Sequence, residues 1–412
     1  VIARCFVAIA TVLLLGCAAA VAGAEDPGPG AWVPADVRVL ETLRSRGDLA
    51  SQREHLRRVL EEVVRPSPAD GRAAFLHWHD AAETFAADPA ESAVVTRTRT
   101  TAFGQSDAAR RAAGASSLPP LIVRTHYNEA AYRHLRRHQL YRRDALASLR
   151  AAGVAAAPVP AFPREAIVAK SAWWPVPRGG VAALPVWDGV GNRPQSAGND
   201  YPGWPRRVAV CDRAGQPQPS RVDVELLGSL IADVRCEPIA RFERIVLDDA
   251  LAAAVSTDPA ARGLAAMVLG RPLAAGDSLL LVALHVATGE TADWVWGTFW
   301  WHDAAGGADA ARDDSASSWR HYRMAVAFDA ELPRAPDGGP LVAFNPWFEA
   351  RFPDSGQGAG VSSNCVSCHR RATFPARDAF VVTRGRSAPP VAPDGSPSVE
   401  TRSLWSIPLE AR

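Results

Sequence analysis

The sequence predicts an α+β chain. It reads as an N-terminal helical region at 37–158, a β-rich domain at 159–350 of sandwich or barrel-like build, and a C-terminal segment at 351–412. Three observations carry this. Apolar residues recur at helical spacing early in the chain, as in Val37, Leu40, Leu43 and then Leu56, Val59, Leu60, Val63. From about residue 160, short apolar runs alternate with Pro and Gly, the mark of strands and turns. Near the end stands one compact motif, Cys365-Val366-Ser367-Cys368-His369, in a Gly/Ser-rich setting.

Taken in order, residues 1–24 read as a secretory signal peptide. Arg4 is followed by an apolar run, Phe6 to Leu15, and by small residues to Ala24. The run is too short for a stable membrane-spanning helix. Two export routes stay open. Ala22-Gly23-Ala24 reads as a cleavage site, whereas Leu14-Leu15-Gly16-Cys17 reads as a lipobox that makes Cys17 a lipid anchor. Export places the chain in the periplasm, with that lipid as its membrane link. Residues 25–36 are a Pro/Gly-rich tether. Helices follow to Val64 and end at Pro66 and Pro68.

Gly71 to Ala87 reads as a second helical piece, with His77 and His79 about 200° apart on a helix and unable to share a metal. Residues 96–120 read as a loop, and Asn128 to Ala151 as one further helix. In that helix His134 and His138 lie one turn apart, as two metal ligands can. They stand among Arg133, Arg136, Arg137, Arg142 and Arg143, so a solvated basic face, or a docking surface for an acidic partner, fits better.

Strands are expected at Ala166–Trp174, Val181–Val186, Arg206–Cys211, Ile239–Leu247, Ser278–Val286, Asp293–Trp301, Tyr322–Phe328 and Leu341–Phe344, with a helix at Asp248–Leu269. Alternation puts Trp294, Trp296, Thr298, Trp300 and His302 on one strand face and Val295, Gly297, Phe299 and Trp301 on the other. The Trp-rich face suits a large flat apolar ligand, a tryptophan core, or a sugar-stacking platform. Net charge is +1, which gives no field for nucleic acid. Lys170 is the sole lysine among 45 basic side chains.

The Cys365–His369 motif has the spacing of covalent c-type haem attachment. Two thiols on one helical turn can each add to a haem vinyl group, and the adjacent histidine then ligates the iron. One haem c is therefore the expected cofactor, bound by Cys365 and Cys368, with His369 as proximal ligand and Trp296, Trp300 and Arg370 as further pocket candidates. A zinc knuckle needs a second close ligand pair, and Cys211 and Cys236 are too far apart to be one. A thioredoxin-like pair belongs in a βαβ unit, which the flanking loop composition does not offer. Once the signal peptide and the haem thiols are set aside, Cys211 and Cys236 remain. In an oxidising compartment they should pair and stabilise the chain by roughly 3 kcal/mol.

A wider pattern surrounds the motif: Lys170-Ser171-Ala172-Trp173-Trp174, His285-Val286 with the turn through Thr288, Gly289 and Glu290, Trp294-Val295-Trp296-Gly297-Thr298-Phe299, and Phe344-Asn345-Pro346 before Asn364-Cys365. Over roughly 165–370 this resembles a group of uncharacterised bacterial exported mono-haem c-type cytochrome-like proteins. The resemblance implies an exported mono-haem protein and little about substrate.

The chain departs from the small helical cytochrome c pattern. The tail after His369 holds neither Met nor His, and Pro375, Pro389, Pro390 and Pro393 break any long helix there. A sixth iron ligand, if there is one, must come from upstream. His285 leads the candidates because it interrupts the apolar run Leu279–Val286, where a buried imidazole needs a partner such as iron or a backbone carbonyl. His302 is second and His321 third, and a vacant or water-filled position stays open. Met324 and Met267 read as packing residues. Arg370, Arg371 and Arg377 are propionate or docking candidates, or plain surface arginines. The expected function is one-electron transfer with a redox partner protein. The alternatives are a haem enzyme or sensor with an open distal side, acting on peroxide or a diatomic gas, and a haem-bearing subunit of a larger oxidoreductase.

Overall fold

Helices α1 (Val37–Arg46) and α2 (Leu49–Val64) each start where an aspartate caps the first turn. Asp36 accepts from the Arg38 amide, and Asp48 Oδ1 from the Ala50 and Ser51 amides at 3.1 and 3.2 Å. Gly47, at φ +61°, ends α1 in the left-handed conformation that glycine tolerates best. The computed structural model describes residues 32–87, 121–151, 158–187, 201, 204–213, 217, 219–226, 228–312, 314–336, 338–349, 364–376 and 398–412. Two units are distinguished, Val1–Val33 and Pro34–Arg412, and every element here belongs to the second. The signal peptide with Cys17, most of the tether, the loop at 96–120, the Gly/Ser-rich run at 356–363, Arg377, Pro389, Pro390 and Pro393 lie outside the described residues. Among the described residues no helix is long and apolar enough to cross a membrane.

The remaining elements, in chain order, are β1 (His79–Asp80), α3 (Ala81–Thr84), β2 (Ile122–Tyr127), α4 (Glu129–Arg137), α5 (Arg143–Ala151), β3 (Ile167–Val176), β4 (Val181–Val186), β5 (Arg206–Cys211), β6 (Arg221–Leu226), β7 (Ser229–Pro238) and β8 (Arg244–Val246). Then come α6 (Asp249–Ser256), α7 (Pro259–Leu269), β9 (Ser278–Thr288), β10 (Val295–Trp301), β11 (Tyr322–Ala327), α8 (Pro346–Glu349), α9 (Cys365–His369), β12 (Thr373–Phe374), β13 (Val399–Glu400) and α10 (Ser406–Glu410). The fold is α+β with a β-rich domain, unlike a small helical cytochrome.

The main sheet runs β1-β2-β3-β9-β10-β11, with β8 also paired to β9, and every pairing in it is antiparallel. A second sheet runs β4-β5-β7-β6, with β5 and β7 parallel. The Cys211–Cys236 disulfide is formed and ties β5 to β7. Helix α2 lies against the main sheet with Leu56, Val59, Leu60 and Val63 fully buried. Gly297 makes room for it, since a Cβ there would stand 2.5 Å from Leu56 Cδ1.

Several expectations change. The helical region contributes β1 and β2 to the main sheet; Ile122–Tyr127 is too short to announce itself beside the helices that follow. Gly71–Ala87 holds a 3-10 turn at Ala74–His77, then β1 and α3, rather than one helix. Asn128–Ala151 is two helices, because Gln139 takes φ +54° and the Leu140 amide bonds back to Leu135 O at 2.9 Å. Asp248–Leu269 also divides, where Asp258 caps a new helix that begins with Pro259. Ile239–Leu247 is a 3-10 turn and the short β8, and Leu341–Phe344 is not a strand but the approach to α8. Strands β6 and β7 carry little sequence signal, as much of their surface is exposed and the apolar alternation is weak.

The C-terminal segment shares one core with the helices and the sheet. Leu135, Leu140 and Leu146 meet Trp294, Trp296, Val366, Phe374, Leu404 and Ile407 in one buried cluster. The Val159 amide bonds Glu400 O at 2.8 Å, stitching β13 to the start of the β domain.

Candidate functional site

Cys365 to His369 form one short helix whose start is fixed by Asn364. Its Oδ1 accepts from the Ser367 amide at 3.0 Å, and its Nδ2 donates to Asp329 O at 3.0 Å and Ala330 O at 3.2 Å. The cap thus also anchors the helix to the chain after β11. Cys365 and Cys368 are not disulfide-bonded; Cys365 is buried and Cys368 is half-buried. Burial pushes the Cys368 thiol up to about 12 and Cys365 well above the ordinary thiol value, with the Glu349 carboxylate adding to both. This upward direction is the opposite of that found in thiols tuned for thiol–disulfide exchange. Among the described residues no group of three or more His, Cys, Asp or Glu could hold a metal ion.

His369 Nδ1 meets Ser403 O at 2.7 Å. A carbonyl only accepts, so the ring proton sits on Nδ1 and the lone pair on Nε2. Burial pulls the His369 pKa down to about 3; the Ser403 bond opposes this, and the positive charges available to His285 and Lys170 reinforce it. Ser403 and the preceding Arg402 both adopt positive φ, +66° and +46°, a conformation non-glycine residues rarely take. That turn presents the Ser403 carbonyl. Trp296 packs against the imidazole, ring centroids 3.9 Å apart.

A cavity of about 80 Å³ adjoins His369 and Trp296. Tyr127, Val168, Ala287, Leu404 and Leu409 supply apolar wall, and Lys170, His285 and Glu410 supply charge-bearing groups. Strand register explains the placement. Thr125, Lys170, His285 and Thr298 stand opposite one another across β2, β3, β9 and β10, forming one row across the sheet. His285 Nε2 is 3.4 Å from Glu349 Oε1, and its ring stacks on Phe348 at 4.5 Å. Lys170 Nζ lies 5.0 Å over the same Phe348 ring. Burial pulls the Lys170 pKa well below the usual lysine value, against the opposing pull of Glu349 and Glu410.

Helix α8, which carries Phe348 and Glu349, is held by Asn345. Its Nδ2 donates to Thr298 Oγ1 and Phe299 O, each at 2.8 Å, and its amide donates to Glu349 Oε2 at 2.5 Å. Asn345 thus joins the end of the sheet row to the carboxylate behind His285.

The structure brings Cys365, Cys368, His369, Trp296 and His285 into one neighbourhood. Three other candidates stand elsewhere. Arg370 makes a two-pronged bond to Asp293 through Nε and Nη2, at 2.9 and 2.6 Å, which orients it toward Asp293. Trp300 is half-buried between Ala283 and Arg323 in the sheet register and does not line the cavity. His302 accepts from the Ala304 amide at 3.0 Å and sits by Asp303, which is also paired with Arg206 and Arg235. His321 is buried near Trp301, Met324 is buried in β11, and Met267 is half-buried in α7. His77 pairs with Asp70; His79 meets both Glu83 and Glu129; His134 Nε2 faces Pro160 O at 3.1 Å.

Sequence reasoning missed Ser403, Glu349, Glu410 and the part played by Lys170. A lone lysine in an arginine-rich chain was the available signal for the last. The others are joined to the motif only by the fold.

Compared with protein-family models, curated proteins and solved structures, the chain matches none. The site is therefore read from its own chemistry. Two thiols on one turn, an imidazole whose Nδ1 is committed to a carbonyl, and an adjoining aromatic and aliphatic cavity form a donor set that suits a haem c.

Proposed function

We propose that the chain carries one haem c, joined through Cys365 and Cys368 and ligated by His369, and that the protein works in the periplasm after export. The observation that carries the reading is the His369 Nδ1 bond to Ser403 O, on the same short helix as the two thiols. A metal-ligating histidine characteristically donates its other ring N–H in this way, which fixes the tautomer and turns Nε2 to the metal. When bound, the haem supplies an iron that takes a small ligand and changes its charge by one electron. The chain's own residues orient the imidazole, pack Trp296 against it, and line the adjoining cavity with an aliphatic wall and proton-bearing groups.

Of the functions open to such a protein, a haem with an open distal side, acting on a small oxidant or binding a diatomic gas, has the best support. Plain electron transfer needs no cavity lined by Lys170, His285 and Glu410, and burying such groups is costly. Electron transfer to a redox partner protein is the second reading, favoured by the half-buried Cys368 edge of the motif. Optical spectra of the exported protein, oxidised and reduced, with and without cyanide or carbon monoxide, test the choice. High-spin bands that shift with ligand are expected. Sharp low-spin bands indifferent to both ligands would give electron transfer the lead. A denaturing gel without haem stain, from cells that mature c-type cytochromes, would remove both.

A further inference from the structure

The charge-bearing end of the cavity beside His369 holds both kinds of hydrogen-bonding group. Lys170 and His285 can donate and Glu410 carries a carboxylate, which accepts when ionised; a second carboxylate, Glu349, backs His285 from outside the lining. The arrangement is built rather than incidental. Lys170 and His285 are register partners on β3 and β9. Phe348 lies under both side chains, and Glu349 stands behind His285 on α8. Asn345 ties α8 to Thr298, the next residue in the same row. Three ionisable groups lining one small space, with Glu349 behind one of them, are expensive to keep there unless they handle a ligand.

A diatomic gas has no proton to give and no use for a base. A molecule with an O–H or N–H bond beside a second heteroatom uses both a base and a donor. We propose that, in the haem-bearing protein put forward above, the cavity takes a small protic molecule with two adjacent heteroatoms, hydrogen peroxide being the simplest. The His285–Glu349 pair takes its proton, and Lys170 donates a hydrogen bond to its other heteroatom. In this step one O–H bond breaks and one bond to hydrogen forms on the pair; nothing is oxidised or reduced. The inference rests on the covalent-haem reading and selects the substrate class for it.

Hydrogen cyanide and carbon monoxide separate the possibilities. The first gives up a proton on binding ferric iron, and the second binds ferrous iron with none to lose. Association of each is followed by stopped-flow absorbance in wild type, His285→Leu, Glu349→Gln and Lys170→Met, all checked first for haem stain on a denaturing gel. Glutamine at 349 keeps an acceptor for the Asn345 amide. Cyanide association should slow by about tenfold or more in His285→Leu and Glu349→Gln, in line with the usual weight of general-base assistance. Carbon monoxide association should change by less than about threefold, because no proton moves in it. Lys170→Met should speed cyanide release. Equal slowing of both ligands, or unchanged cyanide rates in stained protein, overturns this inference alone. Absence of stain in the wild type overturns the haem reading together with it.

Discussion

The strand β9 touches two buried histidine–glutamate pairs, one on each face of the sheet, and they are built differently. On the α2 face, His55 Nε2 lies 2.9 Å from Glu290 Oε2, with both side chains essentially sealed from solvent. Thr288 Oγ1 at 2.7 Å and the Ala35 amide at 2.8 Å complete the carboxylate's bonds. On the other face His285 and Glu349 are 3.4 Å apart, slightly exposed, and beside a cavity. The same two residue types thus make a closed strut on one side and a loose, accessible pair on the other. A pair sealed in the interior holds elements together; a pair beside a cavity lies within reach of what enters.

The comparison breaks most visibly in stability. Glu290→Ala leaves His55 buried without its partner and should lose about 3–5 kcal/mol, read from urea unfolding. Glu349→Gln should stay within about 1 kcal/mol of wild type. Similar losses in both would erase the distinction.

Acid sharpens the same contrast. Burial works to raise the Glu290 carboxyl, but the bonds from His55, Thr288 and Ala35 outweigh it and hold its pKa below the usual 4.5. A depressed carboxylate contributes stability that is present above its unfolded value and lost as the pH falls through the folded one. Stability should therefore drop below about pH 4.5, and Glu290→Gln should flatten that drop; an unchanged acid profile would contradict the assignment.

Away from both pairs, removing the Cys211–Cys236 disulfide should lower stability by about 3 kcal/mol while leaving haem staining intact, as the bond lies in the second sheet. Loss of stain in that variant would tie the second sheet to the haem segment. A smaller effect is expected at Gly297. Alanine there drives a Cβ toward Leu56 and should cost about 1–3 kcal/mol on the α2 face. Cyanide rates, which report the cavity face, should not move.

What the sequence made legible follows from how local each signal is. The motif at Cys365–His369, the α2 stripe and the alternation of Trp296, Thr298 and Trp300 against Gly297, Phe299 and Trp301 are all carried by neighbouring residues, and all reappear in the fold. Capping residues that end one helix and begin another were present but quiet: Asp258 before Pro259 divided a helix that apolar content alone made continuous. The His285 environment depended on strand register, which brings Lys170 from more than a hundred residues away to stand beside it. Ser403 reaches His369 only through a turn of two positive-φ residues, which neither side-chain type announces. Arg370 looked available beside the motif, yet its Nε and Nη2 are held by Asp293, far upstream.

The most direct test of the account is the mass of the proteolytic peptide that contains Cys365 to His369, taken from protein exported by cells that mature c-type cytochromes and alkylated under denaturing conditions. The account predicts a peptide heavier by one haem, with neither Cys365 nor Cys368 alkylated. A peptide of unmodified mass plus two alkyl groups would contradict it.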